Sequence, residues 1–206
     1  MKIYNQPALM ALGMVLFFAF AGAAQAKGDM VAYVEPKSAL NAPPSVPLNS
    51  FQHFDLKPIA MGAPFEGQPT NEAARQSLQA NLDKESQALL AGWNSKPTDG
   101  PQRTLVMEPS VRQIKFINGK TRFWAGGFAG GSAILITVRM TDSASGEVIA
   151  EPEFYQHASG IAGAWTFGST DKAMLIRIAT MVTEYLQNNY AQAVGGPTSV
   201  SPVHKP

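Results

Sequence analysis

Between Ile134 and Thr141 the chain follows a two-residue period. Ile134, Ile136, Val138 and Met140 are apolar, and Leu135, Thr137, Arg139 and Thr141 stand between them. Strand side chains point in turn to two faces, so this run is a half-buried strand with one face in a core. Such a strand needs neighbours to take its hydrogen bonds and further elements to cover its apolar face.

The neighbours are legible on both sides. Leu105–Met107 and Val111–Ile117 read as strand, with a break or bulge expected at Glu108-Pro109 and the turn pair Asn118-Gly119 closing the run. After the turn Thr141–Glu147, Val148–Gln156 reads as an antiparallel return strand in which Pro152 implies an edge or a bulge. Phe51, Phe54, Leu56 and Ile59 make a short apolar stretch that Pro58 limits to an edge strand.

Two helices supply the cover. One is predicted from Thr70, read as N-cap with Glu72 in the first turn, with Leu78, Leu82, Leu89 and Trp93 along one face. The other runs from Thr170-Asp171 to Asn188-Asn189 with a broad stripe of Met174, Ile178, Met181 and Tyr185. The sequence therefore predicts an α+β fold: an antiparallel or mixed sheet of about four strands with two helices packed on one face.

The ends read differently. Residues 1–26 resemble a secretory signal peptide: Lys2, an uncharged apolar run from Ala8 to Phe20, and Ala24-Gln25-Ala26 as the small-x-small cleavage site. A retained membrane anchor is the competing reading, and the run is shorter than the ~20 apolar residues of a span. Residues 27–50, with Pro36, Pro43, Pro44 and Pro47, are expected to be an extended tether, 51–190 one α+β domain, and 191–206 a disordered tail.

Composition narrows the partners. Without Lys2 the chain carries 15 basic and 15 acidic residues, scattered singly, which argues against nucleic acid and anionic membrane surfaces. The absence of Cys removes disulfides, thiolate metal sites, cysteine nucleophiles and a lipoprotein's acylated residue. His53, His157 and His204 have no second ligand at metal spacing, and no G-x-S-x-G, S-x-x-K or H-E-x-x-H occurs. Glu151 and Glu153 lie two apart, a spacing typical of a solvated edge. No catalytic, cofactor-binding or metal-ligating residue is predicted.

One pattern is left over. Arg122-Phe-Trp-Ala-Gly-Gly-Phe-Ala-Gly-Gly-Ser132 joins aromatic residues to Gly and Ala, and Ser159-Gly-Ile-Ala-Gly-Ala-Trp-Thr-Phe-Gly168 echoes it. Neither has the spacing of a phosphate loop or a dinucleotide turn. In one reading the glycines permit close packing while Phe123, Trp124, Phe128, Trp165 and Phe167 fill the core. In the other, Arg122, Phe123, Trp124, Phe128, Trp165 and Phe167 form an exposed interaction patch. The small residues at four-residue spacing, Ala125/Ala129/Ala133 among them, also suit self-association or membrane contact, although the uncharged window Phe123–Val138 is too short for a full span.

Arg122-Phe-Trp-Ala-Gly-Gly127, the strand Ile134–Asp142, Gly146-Glu-Val-Ile-Ala-Glu-Pro-Glu-Phe-Tyr-Gln156 and Gly163-Ala-Trp-Thr-Phe-Gly168 resemble the bacterial domain-of-unknown-function 4410 family, over about residues 50–190. The resemblance implies a secreted or envelope-associated α/β protein with no established activity. Family members are often lipoproteins, and the missing Cys departs from that pattern.

Together these readings predict an exported, non-catalytic module, periplasmic or secreted after cleavage at Ala24/Ala26. It would bind a protein or envelope component, or a second copy of itself, and carry no lipid anchor. The alternative is a self-associating or membrane-contacting envelope protein that uses the Gly/Ala-rich segment.

Overall fold

The computed structural model describes residues 36–97, 102–115, 132–158 and 169–200. All lie in the compact unit that begins at Tyr33. The elements are β1 (Leu40–Asn41), a 3-10 turn (Leu48–Ser50), β2 (His53–Leu56), β3 (Ala60–Met61), α1 (Pro69–Asn94), β4 (Thr104–Lys115), β5 (Ser132–Asp142), β6 (Val148–Ala150), β7 (Glu153–Ala158), α2 (Ser169–Asn188) and β8 (Gly196–Pro197).

The alternating run is the central strand β5. It pairs antiparallel with β4, from Leu105↔Asp142 to Lys115↔Ala133, and on its other side with β6 and β7. Beyond β4 lie β2 and β3, parallel to it. The sheet is thus mixed and four strands wide, as expected, with the helices α1 and α2 packed on it. Rows such as Val111–Ile136–Phe154 and Met107–Met140–Ala150 carry the core across the strands. Leu78 and Leu82 of α1 and Met174, Ile178 and Leu186 of α2 close over it, fully buried. Each contributes about 1.5–3 kcal/mol of burial.

Two local expectations are corrected. Thr70 is not the N-cap: α1 starts at Pro69, with Gln68 as N-cap. A proline at the first helical position loses no hydrogen bond and already has the helical φ. Gln68 turns its side chain to the Pro64 carbonyl (2.7 Å), and Glu72 accepts from Gly67 N–H (3.2 Å) and Arg75 Nε (3.0 Å). Nor does Pro109 break β4, which runs through it; the register slips instead between Val111 and Gln113. On the parallel side, Pro109 falls at the interruption between β2 and β3, where Pro58 stands, so neither missing N–H leaves a gap in a ladder. Pro152 splits the return strand into β6 and β7, yet its carbonyl still accepts from Val138 N–H (3.0 Å).

The segment expected to be a tether differs most. Residues 36–50 form a strap from one edge of the sheet to the other. Ser45 N–H bonds the Ile149 carbonyl on β6 (2.8 Å), Leu48 and Asn49 N–H bond the carbonyls of Asn189 and Tyr190 after α2, and Gln52 N–H reaches Arg103 beside β4. Leu48 and Phe51 plug the end of the core, and the Tyr185 hydroxyl donates to the Ala42 carbonyl (3.0 Å). Burial pushes the Tyr185 phenol up to about 12. Prolines shape the strap but do not free it, because these bonds tie it to the fold. Leu48→Ala should therefore cost about 2–4 kcal/mol in urea unfolding, the penalty of a core leucine, where a tether residue would cost nothing measurable.

The expected tail is likewise ordered as far as residue 200. Residues 196–197 pair antiparallel with 40–41, and Asn189, fully buried, accepts from Val194 and Gly195 N–H while donating to the carbonyls of Tyr185 and Gly195.

Both sheet edges are closed by asparagine amides that imitate a strand residue. Asn94, at the end of α1, accepts from Phe54 N–H (2.8 Å) and donates to the Phe54 carbonyl (3.0 Å). Asn41 does the same for Glu153 on β7, at 2.7 and 2.9 Å. Capped edges of this kind resist strand addition.

Candidate functional site

β4 ends at Lys115, β5 begins at Ser132 and β7 ends at Ala158, and these ends are adjacent. Lys115 pairs with Ala133, Ala133 with His157, and Ser132 with Ala158. The connections 116–131 and 159–168 therefore leave the sheet from one place. They carry all six nominated interaction residues: Arg122, Phe123, Trp124 and Phe128 in the first, Trp165 and Phe167 in the second. These six lie outside the described residues, as do Ala24 and Ala26 of the expected cleavage site.

At this end the sheet face turned away from the helices is not the solvated surface that alternation suggests. Leu135 is 2% exposed, and Ala133, Thr137 and Gln113 are buried with it. Tyr155 and His157 of β7 continue the surface, their rings stacked at 6.1 Å. At the other end of the same face the character reverses: Arg139 and Glu151 are half exposed and 3.9 Å apart, and Glu108 is exposed opposite Arg139. The face thus grades from a charged, wet end to one where apolar Leu135 and Ala133 and uncharged Thr137 and Gln113 are buried, with Lys115 and His157 exposed at its rim. On the helix side of that end Gln156 is buried, donating to the Val200 carbonyl (2.9 Å) and accepting from Arg177 Nε (3.3 Å). Sequence reading missed Gln156; its one signal is a polar residue on the core-facing parity of β7.

The titratable residues do not converge. Glu153 is engaged by Lys37 (3.5 Å to Nζ), Glu151 by Arg139, and His53 sits on β2 at the opposite edge. His157 is exposed beside Tyr155, away from the Glu151–Arg139 pair. Among the described residues there is no group of three His, Cys, Asp or Glu that could hold a metal, and no helix is long and apolar enough to cross a membrane.

The strongest charge pair, Arg103–Asp142, lies at the charged end. Asp142 accepts from Arg103 Nη2 (2.7 Å) and Nε (3.1 Å) and from Ala144 N–H (2.9 Å), and the guanidinium rests on the Phe51 ring at 4.5 Å. Arg103, followed by the Ala144 amide, holds the Asp142 carboxyl below the usual aspartate range. A depressed folded pKa means the stabilisation is complete above the unfolded value of about 3.9 and is lost as pH falls through the lower folded value. Asp142→Asn should therefore flatten the fall in melting temperature as pH drops below about 4 without changing its slope above pH 5.

No family model matches the chain, and no curated protein does. The likeness to the domain-of-unknown-function 4410 family thus rests on the quoted motifs alone. Among solved structures the chain is similar to a PelC dodecamer from Paraburkholderia phytofirmans, at 12% identity over 68% of this chain and 91% of that one, with a TM-score of 0.34. It is also similar to a minor lipoprotein from Acinetobacter baumannii, at 12% identity over 68% and 95%, with a TM-score of 0.33. A third likeness is to a Xanthomonas campestris protein of the domain-of-unknown-function 330 family, at 9% identity over 72% and 90%, with a TM-score of 0.38. At such values no assembly, anchor or activity passes from those proteins to this chain.

Proposed function

We propose that the chain is an exported, non-catalytic envelope or periplasmic protein of the 4410 type, which binds a protein or envelope component through the sheet end at Lys115, Ala133 and His157. The observation that carries this reading is that both aromatic and glycine-rich connections spring from adjacent strand ends, beside a stretch of sheet where Leu135, Ala133, Thr137 and Gln113 are buried. Two such segments at one place can act as a single surface, which neither could do alone. The leader-like residues 1–26 support export, and the scattered histidines, with Glu153 and Glu151 each paired to its own base, support a binding rather than a catalytic role.

The absence of Cys makes the test direct. A photocrosslinker on His157→Cys, in the exported protein within cells, should give a discrete product identified by mass spectrometry. The same probe on His53→Cys, exposed at the far edge, should not. Adding Trp124→Ala and Trp165→Ala should reduce the His157→Cys product about tenfold with no change in melting temperature. Equal labelling from both positions would sink the assignment, and a product containing only this chain would move it to self-association.

A further inference from the structure

Charge is not shared evenly between the two ends of the sheet. No acidic residue stands between Glu108 and Asp142 in the chain, or between Glu153 and Asp171. Arg112, Lys115, Lys120 and Arg122 all fall in the first of these stretches, ahead of β5. The two stretches hold the strand ends that meet at Lys115, Ala133 and His157, together with both connections. Arg112 and Lys115 are exposed on β4 at this end.

The helix side adds a further base. Phe154 meets Tyr185 edge to face (5.9 Å between ring centroids), and Gln156 meets Met181 (3.4 Å) and Arg177 (3.3 Å). α2 therefore runs antiparallel to β7 and brings its first turn, with exposed Lys172, to the same end. The acids on that side are Asp171, buried in the first turn of α2, Glu72, engaged by Arg75 (3.0 Å), and exposed Glu66 before α1. At the far end the bases are matched: Arg103 with Asp142, Arg139 with Glu151 and Lys57 with Asp55. Arg112 and Lys172 have no ion-pair partner among the described residues.

We propose that the partner bound at this end is a protein that presents an acidic segment. This rests on the proposed function and names the chemistry of its partner. Unmatched bases gathered at one end of an otherwise balanced chain give that end a positive potential, and a carboxylate-rich segment complements it. The Arg, Trp and Phe residues carried by the connections are the types that anchor protein interfaces, with exposed charges as the rim. A membrane fits less well. Recognition of anionic lipid uses bases clustered in one segment or along one helix, and these come from separate elements.

The test titrates the exported protein into fluorescently labelled poly-glutamate, followed by anisotropy at low and high salt. Arg112→Glu with Lys172→Glu should weaken binding about tenfold, and high salt should act in the same direction. Lys84→Glu, exposed on α1, should change little. The double variant should also lower the yield of the His157→Cys crosslinked product. Poly-glutamate that does not bind, or that binds the double variant as it binds the parent, would overturn the inference, as would binding to phosphatidylglycerol vesicles alone. A discrete His157→Cys product that ignores these substitutions would leave the partner surface standing and refute only its acidic chemistry. Equal labelling at His157→Cys and His53→Cys would remove the surface itself. If Arg112→Glu does not fold, since it lies at the register slip of β4, Lys172→Glu alone decides, with about threefold weakening expected.

Discussion

Gly195→Val is expected to lower the stability of the fold by about 3–5 kcal/mol, and the melting temperature by about 10 °C, without touching the hydrophobic core. Gly195 has φ +77°, a conformation that costs a side-chain-bearing residue about 1–2 kcal/mol by itself. A Cβ there would also press into the Asn41 carbonyl oxygen and approach Pro43 N at 3.1 Å and Ala42 C at 3.2 Å. All three are backbone atoms of the strap, so relief requires the strap to move, and with it the Asn41 and Tyr185 bonds. Gly92→Ala is the matched control. It lies in α1 with nothing within 4 Å of a new Cβ, and should stabilise by about 0.5–1 kcal/mol. If Gly195→Val melts with the parent protein, the strap is not docked as described.

Asn189→Ala should cost about 3–5 kcal/mol by a different route. The amide meets four main-chain groups at 2.7–2.9 Å, and truncation takes away the partner of the Val194 and Gly195 N–H donors and of the Gly195 carbonyl, while the Tyr185 carbonyl keeps the Asn189 N–H (3.1 Å). The Asn189 carbonyl also receives Leu48 N–H, so loosening this turn loosens the plug that ends the core. Because Asn189 and Gly195 secure the same junction, the double variant should lose less than the two single losses combined. Full additivity in chemical denaturation would show that they act independently.

These sensitive positions lie where sequence reading expected a tether and a tail, and the reason is physical. Periodicity reveals an element when many apolar side chains repeat on one face, as in Ile134–Met140 of β5 or Met174–Leu186 of α2. The strap has no such repeat. It is held by a few main-chain bonds and by single side chains that reach across 112 residues from Asn41 to Glu153 and 143 from Ala42 to Tyr185. A window of sequence contains only one partner of each pair. Pro109 misled for a related reason: whether a missing N–H breaks a strand depends on what faces it, and what faces it comes from β2 and β3. The candidate site was half legible. Its aromatic and glycine-rich segments stand out in the chain, whereas the adjacency of their strand ends and the burial of Leu135 do not.

The sequence by itself determined the mixed helix–sheet class, the central strand with its return, and the buried faces of both helices, because local periodicity encodes which side of an element meets a core. The tertiary structure alone decided that the N-terminal prolines form a strap, that asparagine amides close both edges and that two distant connections leave one end of the sheet. Each of these is a contact between residues far apart in the chain, and such contacts exist only once the elements have packed.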